Sequence, residues 1–187
     1  MTMHDNFHII SGGPGSGKST LLAALAAQGW KTMPEAGRVI IQDQVAIGGS
    51  SLPWADRRAF AELMLGWELR SHHEARAHSG PVFFDRGVPD VIGYLRVCGI
   101  DIPPHLHAAA SQFRYNTRVF MAPPWRDIFH EDEERKQSWA EAVTTFKAMV
   151  STYEDLGYGV VLLPLAPVEE RVAFVCEHIG QSGYSGV

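Results

Sequence analysis

The chain carries near its start the stretch Gly12-Gly13-Pro14-Gly15-Ser16-Gly17-Lys18-Ser19-Thr20, and this stretch decides the fold. It satisfies the pattern G-x-x-x-x-G-K-[ST] at every fixed position. An apolar run at Phe7–Ile10 precedes it, and a second apolar run at Leu21–Ala27 follows it. A strand, a glycine-rich turn and a helix therefore come in the order that a phosphate-binding loop requires.

Each residue type in this loop has a chemical reason. Glycines permit positive φ angles, so that successive backbone N–H groups converge on phosphate oxygens. The helix that begins near Gly17 directs the positive end of its dipole at the same oxygens. Lys18 is predicted to reach the β- and γ-phosphates of ATP, and the Ser19 hydroxyl to bind Mg²⁺. The predicted nucleotide-binding residues are Gly13, Gly15, Ser16, Gly17, Lys18, Ser19, Thr20 and, from later in the chain, Arg126.

Length, composition and charge narrow the class of protein. The chain has 187 residues, of which 45% are hydrophobic, and this suits one domain with a proper core. Its 16 Lys and Arg against 21 Asp and Glu argue against nucleic-acid binding, which needs a basic surface. No apolar run approaches the roughly 18 residues of a membrane span, and the polar start shows no secretory signal. We therefore expect a cytoplasmic domain over residues 1–180, without membrane contact, and a flexible tail over 181–187.

Cysteine and histidine give no sign of a special site. Cys98 and Cys176 are too far apart for a C-x-x-C motif, so we expect two buried thiols in a reducing compartment. The histidines, among them His72 and His73, show no spacing typical of zinc ligands. We therefore expect them to be solvated.

Short apolar runs alternate with helical patterns along the chain. Helices are predicted from the periodicity of apolar residues around Pro34–Ile47, Trp54–His78, Trp139–Tyr153 and Val168–Ile179. Alternation of this kind implies right-handed crossovers and a mostly parallel sheet covered on both faces. We predict a three-layer α/β/α domain whose strand order stays open, with five strands at Phe7–Ile10, Trp30–Met33, Val82–Phe84, Arg118–Met121 and Gly159–Leu163.

A carboxylate and an arginine follow the third predicted strand. Asp85 ends the apolar run. An acid at the end of a strand beside the loop can hold the water shell of a magnesium ion, and Asp85 fits this position. The alternative is an aspartate that caps the next helix. Arg86 follows at once and is expected to point into the cleft where an acceptor binds, in a catalytic or substrate-binding role. A structural ion pair is the alternative for Arg86.

The segment 123–137 is rich in both acids and bases, and it lies between the fourth strand and the long helix. Small phosphotransferases carry a mobile lid at this place, and lids deliver arginines to the transferring phosphoryl group. Arg126, Arg135 and Lys136 are the candidates, with Arg135 predicted to be catalytic. The alternative is a solvated, charged helix start.

Three further residues are candidates for the acceptor side. Glu35 follows the second strand and can act as a general base on an acceptor hydroxyl or help to hold magnesium through water. An exposed glutamate in a first helical turn is the alternative. Arg38 can pair with Glu35 or contact the substrate. Asp90 can bind a sugar hydroxyl, or cap a helix.

These motifs, together with Val119–Trp125 and Asp132–Gln137, resemble those of a known family. The chain resembles the bacterial AAA-domain predicted ATPases of the P-loop kinase group, relatives of the ribosylnicotinamide kinase domain, over roughly residues 7–178. The resemblance implies a nucleotide-kinase-like P-loop NTPase fold with the loop-bearing strand central and a lid. It also implies that Lys18 and Ser19 bind ATP and Mg²⁺, that Asp85 supports the metal and that Arg135 is a lid arginine.

Two functions remain open from the sequence. The first is an ATP-dependent phosphotransferase that acts on a small metabolite, with a nucleoside or nucleotide as a candidate acceptor. The second is a nucleotide-binding ATPase or switch that acts on a protein partner without a small acceptor. A GTPase is disfavoured because no Asn-Lys-x-Asp motif occurs. A ring-forming motor is disfavoured because Asp85 is followed by Arg86 rather than by a second acid.

Overall fold

The structure is a computed structural model that describes residues 4–129 and 138–180. Its core is one sheet of five parallel strands in the order β2-β3-β1-β4-β5. The strands are β1 (Phe7–Gly12), β2 (Lys31–Met33), β3 (Val82–Asp85), β4 (Arg118–Ala122) and β5 (Gly159–Leu162). The predicted α/β class with five strands is confirmed, and the order that the sequence left open places the loop-bearing strand at the centre.

Seven α-helices occur in the described part of the chain: α1 (Lys18–Ala27), α2 (Ala36–Ile47), α3 (Arg57–Ala75), α4 (Val88–Val97), α5 (Pro104–Gln112), α6 (Trp139–Asp155) and α7 (Val168–His178). A short 3₁₀ turn covers Arg126–Ile128. The four helices predicted along the chain and the helix predicted after the loop are present, with ends that differ by a few residues. No prediction was made for α4 and α5. Apolar residues surround most of α4, which is buried on nearly all sides, so that it has no single apolar face to detect.

Alternate residues of the strands separate two layers of core. Phe7 and Ile9 of β1 point to the side packed by α3, α4, α5 and α6. Ile10 of β1 points to the other side, where Leu21 and Leu25 of α1 meet Val172 and Val175 of α7. Because side chains of a strand alternate between faces, an apolar strand supplies both layers at once. This explains why the central strand is apolar throughout.

Two predictions were wrong, one on the exposure of the histidines and one on the burial of the cysteines. His8 and His72 are buried among aromatic rings rather than solvated, because each fills space between a strand and a neighbouring layer of the core. Cys98 and Cys176 are half-buried rather than fully buried, since both lie near the ends of helices. Among the helices of the described residues, none combines the length and the apolar character that crossing a bilayer demands.

Candidate active site

The glycine-rich loop connects the central strand β1 to helix α1. Gly15 and Gly17 have φ angles of +67° and +76°, which only glycine adopts readily, and α1 begins at Lys18. The Ser16 hydroxyl donates to the carbonyl oxygen of Gly13 at 2.7 Å, and the Lys18 ammonium donates to the same oxygen at 3.0 Å. These bonds hold the loop curved before any phosphate binds. Ser19, in the first turn of the helix, is exposed, as is Thr20.

A buried arginine of the last helix supports this loop, and the sequence analysis missed it. Arg171 is 3% exposed, and its guanidinium donates to the carbonyl oxygens of Ser16 at 3.2 Å and of Gly17 at 3.3 Å. A Cβ atom on Gly17 would lie 2.6 Å from Nη1 of Arg171, so the close packing needs glycine there. Burial lowers the pKa of the guanidinium. Arg171 lies between Val168 and Val172 in the apolar stripe of α7, and a charge in that stripe was the available signal.

Asp85 ends β3 beside the loop. The side chain is buried, and its Oδ1 atom has no hydrogen-bond partner among the described residues. Burial raises the pKa of the carboxyl, while the nearby ammonium of Lys18 lowers it. Helix α4 begins at Val88 after Gly87, so Asp85 is not its capping residue. A buried carboxylate oxygen without a partner fits a magnesium ion or its bound water, as does the exposed hydroxyl of Ser19.

Arg86 has an unusual backbone and pairs with two carboxylates. Its φ angle is +76°, which is rare for a residue with a side chain, and its backbone N–H donates to the carbonyl oxygen of Ile10. Its Nε atom lies 3.3 Å from Glu35 Oε1, and its Nη1 atom lies 3.4 Å from Asp90 Oδ1. Burial would lower the pKa of Arg86, but the carboxylates of Glu35, Asp90 and Asp85 raise it above its usual value. Backbone strain of this kind is typical of functional sites.

Asp90 joins the start of α4 to two other elements, β1 and α6. Its carboxylate accepts hydrogen bonds from the backbone N–H of Gly87 at 2.9 Å and from the hydroxyls of Ser11 and Tyr153. Asp90 is the third residue of α4, in a capping box with the N-cap residue Gly87, and is not the N-cap that was the alternative. It also accepts from Nη1 of Arg86 at 3.4 Å.

A cavity of about 450 Å³ opens beside the loop. Pro14 forms part of its wall, so the cavity adjoins the place where a γ-phosphate would lie. Glu35, Arg86 and Asp90 contribute its polar groups, and the structure thus brings together three residues that the sequence analysis assigned to the acceptor side. The volume is that of a small-molecule site. Arg38 is exposed on α2 and is not among the lining residues.

Glu68 also lines this cavity, and the sequence analysis missed it. The residue is 4% exposed, in the middle of α3. Burial and the carboxylates of Asp90 and Asp85 raise the pKa of Glu68 well above its usual value. Glu68 is four residues after Met64 and eight after Phe60, so it occupies an apolar helical face, and this position was the signal.

The proposed lid is only partly within the described residues. Arg126 is exposed, and its guanidinium lies 4.9 Å from the centre of the Trp139 ring, in a cation–π contact. Phe129 packs edge-on against the same ring and lies over Gly15 of the loop. Arg135 and Lys136 lie outside the described residues. Their roles stay predictions.

Comparison with known proteins gives a family and a fold. A family model described as an AAA domain matches residues 7–171. No curated protein matches the chain by sequence.

Several solved structures share the fold at low sequence identity. NadR protein in complex with NR superposes with a TM-score of 0.69 at 18% identity, over 94% of this chain and 51% of that chain. The chain thus spans about half the length of NadR. Deoxyadenosine kinase from M. mycoides with bound dATP gives a TM-score of 0.64 at 13% identity, over 92% of this chain and 98% of that one. Shikimate kinase from Acinetobacter baumannii in complex with shikimate gives 0.56 at 12% identity, over 93% and 92%. The chain therefore has the fold of P-loop kinases.

Proposed function

This chain belongs to the AAA domain family, and we propose that it is an ATP-dependent phosphotransferase acting on a hydroxyl group of a small molecule. One observation carries the proposal. The cavity beside the phosphate-binding loop has the volume of a second substrate, and its polar lining includes Glu35, Arg86 and Asp90. An enzyme that only hydrolysed ATP would need no such cavity. The neighbouring folds were solved with NR, with dATP and with shikimate, which supports a small acceptor.

The ATP side of the site uses the loop. Its backbone N–H groups and the start of α1 would bind the phosphates, and Lys18 would move from the Gly13 carbonyl to the γ-phosphate. Ser19 and Asp85 would hold Mg²⁺, directly or through water. When bound, the ion would neutralise charge on the β- and γ-phosphates. Lys18 would stabilise the charge that spreads over the transferring phosphoryl group.

On the acceptor side, Glu35 would act as the general base. Its carboxylate would take the proton of the acceptor hydroxyl as that oxygen forms a bond to the γ-phosphorus. The bond from the γ-phosphorus to the β,γ-bridging oxygen breaks, so that ADP and the phosphorylated acceptor are the products. Arg86 holds Glu35 through its 3.3 Å contact and is itself held by Asp90. Arg86 would thus position the base and, once substrates bind, contact the transferred group.

A protein-directed ATPase or switch is the second candidate. Apolar side chains are exposed at the end of α2, where Val45 is 59% and Ile47 74% exposed, and at Trp54, which is 60% exposed. Such side chains can form part of a partner surface. On this alternative the cavity would stay without a reacting ligand.

The two candidates differ in whether a small molecule changes ATP consumption. ADP formation is measured with Mg²⁺ alone and with nucleosides, nucleotides, shikimate and sugars in turn, and mass spectrometry identifies any phosphorylated product. At least one compound should raise the rate and appear phosphorylated. Lys18→Ala should lose at least about 10²-fold of the rate, because it removes a charge-stabilising group while the fold stays intact. An acceptor-independent rate with no phosphorylated product across the panel contradicts the proposal.

A further inference from the structure

The cavity beside the loop has walls of two kinds. One part is formed by large apolar and aromatic side chains, chiefly Trp54, Phe60, Met64, Tyr94 and Met149. Trp54 stands at the mouth with 60% of its surface exposed, while Phe60 is buried against Tyr94 with ring centres 5.5 Å apart. Walls of this kind favour a flat ring over a flexible chain, because aromatic side chains gain most from face or edge contact with another ring.

The polar part of the cavity is dominated by carboxylates. Glu35, Glu68 and Asp90 line it, and the buried cation among them is Arg86. The guanidinium of Arg86 already contacts Glu35 at 3.3 Å and Asp90 at 3.4 Å. Arg57, at the wall near Trp54, is exposed and donates through Nε to the carbonyl oxygen of Pro53. An anionic group in the deep part of the cavity would therefore meet negative charge, because the guanidinium of Arg86 is already shared by two carboxylates.

Glu68 is the carboxyl group that remains for a ligand. It is buried and lines the cavity, and within 4–129 and 138–180 burial and neighbouring charges act on its pKa while no hydrogen bond does. A buried carboxyl without a partner is costly, so it gains strongly from a ligand that brings an N–H or O–H donor. Burial and the charges of Asp90 and Asp85 raise the pKa of Glu68, because they destabilise its ionised form. A ligand that brings a hydrogen-bond donor or a positive charge would stabilise that ionised form.

From the walls, the shared guanidinium and the unpartnered carboxyl, we infer that this cavity takes a hydroxyl-bearing ring compound without negative charge, and that Glu68 selects it by accepting a hydrogen bond from its ring. The inference rests on the proposed function, since it treats the cavity as the acceptor's site. Nucleosides belong to this class and nucleoside monophosphates do not. Glu68 is a specificity residue, distinct from Glu35, whose role is in the transfer step.

Binding is measured by calorimetry in the presence of Mg²⁺ and a non-hydrolysable ATP analogue, for adenosine, cytidine and guanosine and for their 5′-monophosphates. At least one nucleoside should bind at least about tenfold more tightly than its own monophosphate, because the added phosphate is repelled. A monophosphate that binds as tightly as its nucleoside overturns the inference. Failure of every nucleoside to bind overturns it as well.

Substitution then tests Glu68 itself. Glu68→Gln should weaken binding of that nucleoside about tenfold or more while affinity for the ATP analogue stays unchanged, because the amide oxygen is a weaker acceptor than the carboxylate that a ligand donor stabilises. The matched control is Glu62→Gln, on the same helix but exposed and paired with His105 at 2.9 Å, which should bind like the wild type. Equal nucleoside affinity in Glu68→Gln and Glu62→Gln removes Glu68 from recognition.

A second variant tests the cavity in case Glu68→Gln does not fold. Trp54 is mostly exposed, so Trp54→Ala leaves the core intact and should also weaken nucleoside binding about tenfold through lost stacking. The transfer assay separates the two proposals. Phosphorylation of shikimate or a monophosphate but of no nucleoside overturns the inference and leaves the phosphotransferase standing. A nucleoside that binds selectively, while no compound of the panel raises ADP formation or is phosphorylated, supports the selectivity of the cavity and overturns the phosphotransferase.

Discussion

The guanidinium of Arg171 donates to the backbone carbonyl oxygen of Ser16 across 3.2 Å, so the last helix of the chain holds the phosphate-binding loop at its start. A second bond, to Gly17, comes from the same side chain at 3.3 Å. The Gly17 carbonyl oxygen also accepts from the backbone N–H of Leu21 at 3.2 Å. The arginine thus ties helix α7 to the point where the loop passes into α1, and it engages carbonyl oxygens while the N–H groups of the loop remain available for phosphate.

Replacing Arg171 should therefore damage both stability and nucleotide binding. Arg171→Met removes the side-chain donor to the Ser16 and Gly17 carbonyl groups, of which Gly17 keeps its bond from the Leu21 N–H, and we expect the free energy of unfolding to fall by about 2 kcal/mol. ATP affinity should fall about tenfold as the loop loses its support. Urea denaturation and calorimetry measure the two effects. Arg70→Met is the matched control, because Arg70 is exposed and its contacts with Glu74 and with the Trp67 ring stay on its own helix. Unchanged ATP affinity in Arg171→Met would leave the arginine a purely structural role.

Asp85 should set the magnesium requirement of the reaction. Asp85→Asn replaces a carboxylate by a neutral amide that holds the metal or its water more weakly. We expect the Mg²⁺ concentration for half-maximal ADP formation to rise about tenfold or more. A magnesium titration at saturating ATP measures this, with the exposed Asp101→Asn as control. An identical titration curve for Asp85→Asn would show that the acid serves the fold alone.

The lid arginines can be separated by single substitutions. If Arg135 meets the γ-phosphate mainly in the transition state, Arg135→Ala should cut kcat and kcat/KM by roughly 10²-fold or more and leave ATP affinity within a few-fold. Arg126 packs on Trp139 before any nucleotide binds, so Arg126→Ala should act mainly on ATP affinity. Steady-state kinetics and equilibrium binding of the two variants provide the comparison. Normal turnover in Arg135→Ala would leave Arg86 as the candidate catalytic arginine.

Buried histidines should make stability fall in mild acid. Burial lowers the pKa of His72 to about 4 from 6.5, and its Nε2 atom lies 3.1 Å from the carbonyl oxygen of Arg114. The unfolded chain therefore binds a proton at a higher pH than the folded one. Stability from this group is complete above pH 6.5 and is lost as the pH falls towards 4, at about 1.4 kcal/mol per pH unit within that window.

Denaturation between pH 7 and 4.5 tests this with His72→Gln, which does not titrate there. The slope of unfolding free energy against pH should be smaller in the variant by about 1.4 kcal/mol per unit below pH 6. The exposed His107→Gln is the control. Carboxyls with raised pKa, such as Glu68, act with the opposite sign, but they are common to all three proteins and cancel in the comparison. Parallel slopes would show that His72 is protonated without cost in the folded state.

Local patterns of the sequence determined the class of fold and the loop. The apolar strands, the helices between them and the run from Gly12 to Thr20 are short-range features, because their spacing follows from the geometry of a single strand, turn or helix. Asp85 and Arg86 could be assigned for the same reason, since both directly follow a strand beside the loop. Helix α3 was predicted, but its apolar residue Leu63 is 40% exposed, while its charged residue Glu68 is buried. The direction in which a helix faces depends on what packs against it.

Only the tertiary structure decided the strand order, the cavity and the residues that act across long sequence distances. Because β2 lies beside β3, the side chains of Glu35, Arg86 and Asp90 come into contact. A single sequence motif does not show which strands are neighbours. Arg171 reaches Ser16 over 155 residues of chain, and as a charge within an apolar stripe it conflicts with the local pattern. Such side chains are stabilised by partners that packing brings to them, so their identity becomes visible only when the layers of the fold are in place.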